Sequence, residues 1–371
     1  MIVQDLITIL ENFAPNAYAE DFDNVGLLVG NSSEKITGIL VTLDTTEAVV
    51  DEAIKKKCNT IVSFHPIIFK GLKTLTGKNY VQRVAIKAIK HNIAIYAIHT
   101  ALDNAIHGVN DMICQRLNLT SKTILIPQQN TIKKLTTYVP HKHANTVREA
   151  LFKAGAGSIG NYSGCSFNTQ GTGTFTASAN ANPVIGNKLE NHEEPETKIT
   201  VTFPKHLKSS ILKALFAAHI YEEVAYEITA LENTNQHIGM GMVGNLHTPM
   251  EELEFLAYVK QHMHTPAIRH SQFLGKPIQK VAVLGGSGSF AIGAAKQAGA
   301  DAFITADLKY HDFFQAENTI LLADIGHYES EQFTKNLLVA HLTKKITNFA
   351  PALPLSKVLL SETNTNPVKY Y

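Results

Sequence analysis

The sequence predicts an α/β fold of two related βαβαβ halves, interrupted by a smaller α+β insert. Three observations lead there. Short, almost continuously apolar runs alternate with helical patterns over residues 1–127; the same alternation returns over 236–371; and residues 128–235 follow a different rhythm. Strands alternating with helices imply βαβ units and a mostly parallel sheet. Unbroken apolar runs mark strands covered on both faces. At about 150 residues per domain, the 371 residues make two or three domains.

In the first half the strand-like runs are 38–44, 59–65 and 93–99. Between them, 45–57 and 79–91 carry apolar residues at helical spacing, with lysines near their C-terminal ends, where a helix dipole favours positive charge. In the last third the runs are 280–285, 302–307 and 319–324, again separated by helical stretches. The insert reads as a strand at 135–139, a helix at 143–154, a strand at 198–203, a helix at 205–219 and a strand at 222–231. Two strand–helix–strand units of this kind suggest a ferredoxin-like arrangement. Its middle, 155–186, is rich in Gly, Ser, Asn and Thr, and 191–196 is a polar loop, so both read as turn-rich.

Composition narrows the function classes. Hydrophobic residues are 44% and charged residues 18%, which excludes a disordered chain. Thirty-three basic and 32 acidic side chains leave a net charge of +1, so no global field draws the protein to nucleic acid or to an anionic membrane. Cys58, Cys114 and Cys165 form no CxxC pair, which argues against a disulfide framework or a cysteine-rich zinc site and fits a reducing compartment. The N-terminal stretch lacks the pattern of a signal peptide, and no apolar run approaches a membrane span. A cytoplasmic protein is the expectation.

In an open α/β sheet, ligands gather at the carboxyl ends of the strands. His65 ends the second run, just before Pro66. His99 ends the third, with Asp103 four residues on. His327 and Glu331 repeat that spacing after the third run of the second half, and four residues place both side chains on one side of a helix. Histidines and carboxylates so placed suit zinc, manganese or iron, and a carboxylate can bridge two metals. A lone histidine at a strand end is more often structural than ligating; its recurrence with a carboxylate at equivalent points of a repeat shifts that balance.

Gly285 to Ser289 (GGSGS) follows a strand and precedes a helical 290–298. That is the placement of a phosphate cradle and equally of a tight turn with a serine cap. Asp307, Lys309, His311 and Asp312 lie beyond the next strand, as acid–base or orienting groups or as a solvated loop. Asp23 and Asn24 sit in a turn leading into a strand. His141, His143, His192 and His206 of the insert share no spacing and read as surface residues.

The segments FDNVGLLVG (22–30), FHPIIFKGL (64–72), HTALDNAIHGVND (99–111), GGSGS (285–289), TADLKYHDFFQA (305–316) and DIGHYESE (324–331) together resemble the GTP cyclohydrolase I type 2 homologue family, also called Nif-three-like. IGNYSGCSFNTQGTGTF (159–175) is similar to the extra PII/CutA-like domain of its longer bacterial members. The resemblance implies a dinuclear metal centre held by His65, Asp103, His327 and Glu331, in a ring-shaped homohexamer. Many members have two adjacent histidines before the proline; here the first position is Phe64, so the second cation has one ligand fewer. It further implies a hydrolase acting on GTP or a related nucleotide, with Gly286 to Ser289 and Lys309 or His311 as phosphate or acid–base contacts and Asp307 as a further catalytic candidate. The competing expectation is a non-catalytic metal-binding or metal-handling protein whose insert senses a ligand or contacts a partner. An adaptor for a transcriptional protein would need a basic patch, which the sequence lacks.

Overall fold

A computed structural model describes residues 1–349 and 357–371. Residues 1–127 and 236–371 form one compact unit, and 128–235 form another.

The first stretch of the chain contributes β1 (Gly26–Val29), β2 (Ile39–Thr42), β3 (Thr60–Ser63), β4 (Ala94–Ala97) and β5 (Thr120–Pro127). The middle stretch contributes β6 (Ile132–Pro140), β7 (Phe167–Thr176), β8 (Asn191–Pro204) and β9 (Tyr226–Ala230). The last contributes β10 (Gly239–Met250), β11 (Arg269–His270), β12 (Ile278–Ser287), β13 (Ala302–Ala306), β14 (Leu321–Asp324) and β15 (Val358–Leu360).

The larger unit has two sheets, ordered β1-β4-β3-β2-β15 and β11-β14-β13-β12-β10-β5. In the first, β15, β2, β3 and β4 run parallel and β1 is antiparallel at the edge. In the second, β12, β13 and β14 run parallel, with β11 and β10 antiparallel on either side. Each sheet borrows an edge strand from the other end of the chain: β5 pairs with β10, and β15 with β2.

Every residue of β2, β3, β4, β13 and β14 is buried, and the strand period of two explains what each face does. Ile39, Val41, Val62 and Tyr96 enter a central core together with Val281, Val283, Ile304 and Ala323 from the other sheet. Their alternates Leu40, Ile61 and Ile95 face a separate layer with Val49, Val50, Val84 and Ala88. Ala282, Phe303 and Leu322 face a third layer with Ile292 and Ala295. One face of each sheet thus meets the other in a shared core, and the opposite faces are covered by helices. Each fully buried Val or Leu there contributes about 1.5–3 kcal/mol.

The covering helices form as their sequences dictate. Helix Glu47–Lys55 begins where Thr46 Oγ1 accepts from Val49 N, and helix Tyr80–Lys90 where Asn79 Oδ1 accepts from Gln82 N at 3.0 Å. Lys55 in the first, and Lys87 and Lys90 in the second, occupy the last turns.

The smaller unit runs strand–helix–strand, strand–helix–strand, with helices Ala144–Lys153 and Lys208–Ala218 and an antiparallel sheet ordered β7-β8-β6-β9. Leu135, Val147, Leu151, Ile199, Val201, Phe203, Ile211 and Leu215 make its core.

Here the structure departs from the sequence reading. Residues 191–196, expected as a loop, are the start of β8, and they pair with β7 inside the stretch expected to be turn-rich. β7 is exposed along most of its length. Between Phe167 and Phe175 its side chains are polar or glycine on both faces, so it has no apolar alternation to betray it, and its pairing with β8 shows the strand.

Candidate metal centre

The carboxyl ends of the parallel strands deliver the chemistry. Asp44 follows β2, His65 follows β3, Asp307 follows β13, and the short helices His99–Asp103 and His327–Glu331 follow β4 and β14. His65 Nε2 and His327 Nε2 approach Glu331 Oε2 to 3.1 and 3.2 Å. Among the described residues, His65, His327 and Glu331 form the group of three whose ligand atoms all lie within 4.8 Å of one another.

The donor set fits a divalent cation. Glu331 Oε2 is sealed from solvent, yet it makes no hydrogen bond, although two ring nitrogens lie near it. Buried atoms of these types that converge on one another without hydrogen bonding are what a cation's ligands look like with the cation absent. Four tetrahedral ligands at about 2.0–2.1 Å from a zinc ion lie about 3.3 Å apart, close to the separations here. Asp103 Oδ1 is likewise buried without a partner.

Both rings are turned by carboxylates. Asp44 Oδ1 lies 2.8 Å from His65 Nδ1, and Asp307 Oδ2 lies 2.6 Å from His327 Nδ1. A carboxylate only accepts, so each Nδ1 carries the proton and each Nε2 is left for a cation, the arrangement that orients metal-ligating imidazoles. Asp307 reaches its position through a left-handed backbone, φ 57°. A third such pair stands alongside: His99 Nδ1 and Asp23 Oδ1 are 2.8 Å apart, and the His99 ring meets the His65 ring edge-on at 5.3 Å between centroids. Asp23 also accepts from Thr100 N and Thr100 Oγ1. The turn that holds Asp23 therefore does reach the strand ends.

With no cation in the pocket, the surrounding carboxylates hold a second proton on each ring, at Nε2, which a cation would displace. Burial opposes charge on both rings, but carboxylates outweigh it: Glu331 and Asp44 push His65 up to about 10, and Asp307 and Glu331 push His327 up to about 11. Burial alone would raise Glu331, and the two imidazoles reverse this and draw it down to about 2. Burial and the Glu331 charge hold Asp103 well above the usual carboxylate range. Asp44, Asp307 and Glu331 thus make the pocket around the two rings negative.

Phe64 is fully buried in the central core, its ring 5.6 Å from that of His99 and nearly perpendicular to it. Gly286 closes the back of the centre. A Cβ there would come 2.5 Å from Glu331 Oε1, and its φ of +70° suits glycine. Gly286 N donates to Ser330 Oγ and Gly285 N to Asn110 Oδ1, while Asn110 Nδ2 donates to Asp103 O. Asn110 thereby ties the Asp103 helix to the end of β12.

Several sequence-based expectations need correction. The glycine-rich turn is no phosphate cradle: β12 runs on through Ser287, the amides of Gly285, Gly286 and Gly288 are already bonded within the chain, and the α-helix beyond spans only Ile292–Gln297. Lys309 and His311 are exposed and do not line the cavity beside His65 and His327. Lys309 N is bonded to Asp312 Oδ2, and the His311 ring lies among the exposed rings of Tyr310 and Phe314. Of the three acid–base candidates, only Asp307 touches the centre, as the partner of His327. In the insert, His141 pairs with Thr197 and His192 with Glu194, and His143, His192 and His206 are half-buried where surface positions were expected.

The Duf34/NIF3 (NGG1p interacting factor 3) family profile matches residues 1–367. A protein of Bacillus subtilis named GTP cyclohydrolase 1 type 2 homolog is 38% identical over 370 residues, covering 99% of this chain and 98% of the relative. One of the same name from Staphylococcus epidermidis is 35% identical over 372 residues, covering 100% of both. The crystal structure of a Bacillus cereus protein related to NIF3 superposes with a TM-score of 0.83 at 34% identity, covering 100% of this chain and 99% of that one. No described helix is long and apolar enough to cross a membrane. The match along nearly the whole sequence, and the shared fold, establish that the chain belongs to the Duf34/NIF3 family.

Proposed function

We propose that this protein is a divalent-cation-dependent hydrolase acting on GTP or a related nucleotide. His65, His327 and Glu331 hold one cation, and Glu331 with Asp103 holds a second; zinc, iron and manganese match the donors. The observation that carries the reading is Glu331 Oε2, buried, unbonded and faced by two imidazole nitrogens. The name shared by the relatives supports a nucleotide substrate.

A divalent cation in this pocket supplies Lewis acidity that stabilises negative charge developing on a substrate oxygen. The chain's own residues do the rest. Asp44 and Asp307 fix the tautomer and angle of the two rings, and Gly286 leaves room for Glu331. Phe64 offers the second cation only hydrocarbon, so that cation is the more weakly held. The reading includes a cytoplasmic, ring-shaped homohexamer, a repeat relation between the two halves, and a PII/CutA-like insert at 128–235 that senses a ligand or a partner.

Elemental analysis of untagged protein and a nucleotide-hydrolysis panel, run on wild type and His327→Ala, test this. About two cations per chain in wild type, and metal-dependent GTP turnover that His327→Ala abolishes, are expected. Cation binding without turnover refutes the hydrolase and leaves a metal-handling protein. No bound cation refutes both.

A further inference from the structure

We propose that the C-terminal strap, residues 361–371, is a working part of the metal centre, with Thr365 as the positioning residue for His65. This rests on the reading that His65 holds a cation.

The chain of contacts is short and complete. Asp44 Oδ1 accepts from His65 Nδ1 at 2.8 Å, and Asp44 Oδ2 accepts from Thr365 Oγ1 at 2.6 Å. Each carboxylate oxygen therefore has one fixed donor, the imidazole on one side and the strap hydroxyl on the other. A carboxylate held at both oxygens cannot rotate about its terminal bond without breaking one of them. The His65 ring inherits that restraint, because its Nδ1 is bonded to the same group.

The strap is itself held at both ends. Upstream, β15 lies parallel to β2, and Ser361 N donates to Val41 O at 2.8 Å. Glu52 then gathers the turn: its carboxylate accepts from Ser361 Oγ, Glu362 N, Thr363 N and Thr363 Oγ1. Downstream, Asn366 Nδ2 donates to Glu329 Oε1 at 2.9 Å. Thr365 sits between these two anchors. Beyond it, Asn366, Val368 and Tyr370 line a cavity of about 410 Å³ that His65 and His327 line from the other side. Covering the edge of β2 requires only β15 and the Glu52 turn. The continuation across the centre, and the hydroxyl bonded to Asp44, have no part in edge protection.

Groups that bond to the outer face of a metal-ligating histidine typically change metal affinity by about 10–100-fold when removed. The test is zinc alone, titrated against a chromogenic chelator, on full-length wild type, Thr365→Val, Thr365→Ser and His65→Ala, with thermal melts of each chelator-treated protein. Thr365→Val keeps the shape and loses the hydroxyl. It is expected to bind zinc about tenfold more weakly with the zinc-free melting temperature of wild type, while Thr365→Ser retains wild-type affinity. Asp44→Asn combined with Thr365→Val should weaken binding by no more than Asp44→Asn alone, since both act through one bond to His65.

Wild-type zinc binding that His65→Ala lowers and Thr365→Val leaves untouched overturns the role of the strap and leaves the metal centre standing. Equal losses in Thr365→Val and Thr365→Ser overturn the hydroxyl as the acting group. Wild type that binds no zinc overturns the centre and the strap together.

Discussion

Substituting Gly286 by alanine puts one methyl group against the back of the metal centre, and the structure sets the size of the effect. The new Cβ would lie 2.5 Å from Glu331 Oε1 and 3.5 Å from His327 Cε1. Carbon–oxygen contacts below 3.0 Å are essentially never seen, so Oε1 must retreat by at least about 0.5 Å. Glu331 does not stand open to solvent, where the contact would be relieved cheaply; its side chain is only 4% exposed. Oε2 belongs to the same rigid carboxylate and moves with Oε1, and because metal–ligand distances tolerate about 0.2 Å, a shift of that size at Oε2 exceeds what the site can absorb. Zinc affinity in Gly286→Ala should fall by tenfold or more, on the order of what indirect supports of a ligand contribute.

The backbone adds a second cost. A side chain at φ +70° is strained by about 1–3 kcal/mol, which urea denaturation of the zinc-free protein would register. Gly293→Ala is the control, since a Cβ there meets nothing within 4 Å and lies in helix Ile292–Gln297. It should bind zinc as wild type does and unfold at equal or higher urea. A Gly286→Ala protein with wild-type zinc affinity would refute the argument that Glu331 is a ligand locked by the turn.

Phe64→Ala removes a fully buried ring from the central core and should destabilise the protein by about 3–5 kcal/mol in the same denaturation assay. Glu52 predicts a pH dependence. Burial would raise its pKa, but its bonds to Lys56 and the strap draw it down from 4.5 to about 2. A depressed folded-state pKa means stability that is fully present above 4.5 and lost as pH falls toward 2. The difference in melting temperature between wild type and Glu52→Gln should therefore be largest near neutral pH and shrink through that window; a constant difference would show that the charge is not what matters.

The parallel strands were legible because burial on both faces leaves an unbroken apolar run, as at Ile39, Leu40 and Val41, and because His99 and His327 recur at matching points. The edge strands were not. β15 is three residues long and β5 alternates without a strong apolar face, so neither stands out from its surroundings. Ligand types were readable from spacing, whereas their supports were not. Asp44 lies 21 positions from His65 and Asp307 20 from His327, and no local pattern joins such pairs. Thr365 is farther still from its partner. The glycine-rich turn misled because its sequence specifies the placement of a phosphate site but not whether the amides are free; Ser330 and Asn110, which occupy them, come from distant segments. Lys309 and His311 misled for a related reason: they follow the right strand, but the turn after Asp307 carries them out to solvent.

The exchange of edge strands has a consequence for how the protein is made. Val358 pairs with Ile39, so the first sheet is incomplete when residues 1–127 have left the ribosome, whereas β5, the edge strand of the second sheet, is made before the strands it joins. The first sheet waits, with the edge of β2 open, until residue 358 has been synthesised. Closure of such long loops makes folding slow, and an open edge is a template for wrong pairing in the meantime. A chain cut short before residue 358 would keep that edge permanently and lose Thr365 with it, so a premature stop yields an aggregation-prone product in place of a shortened but competent protein.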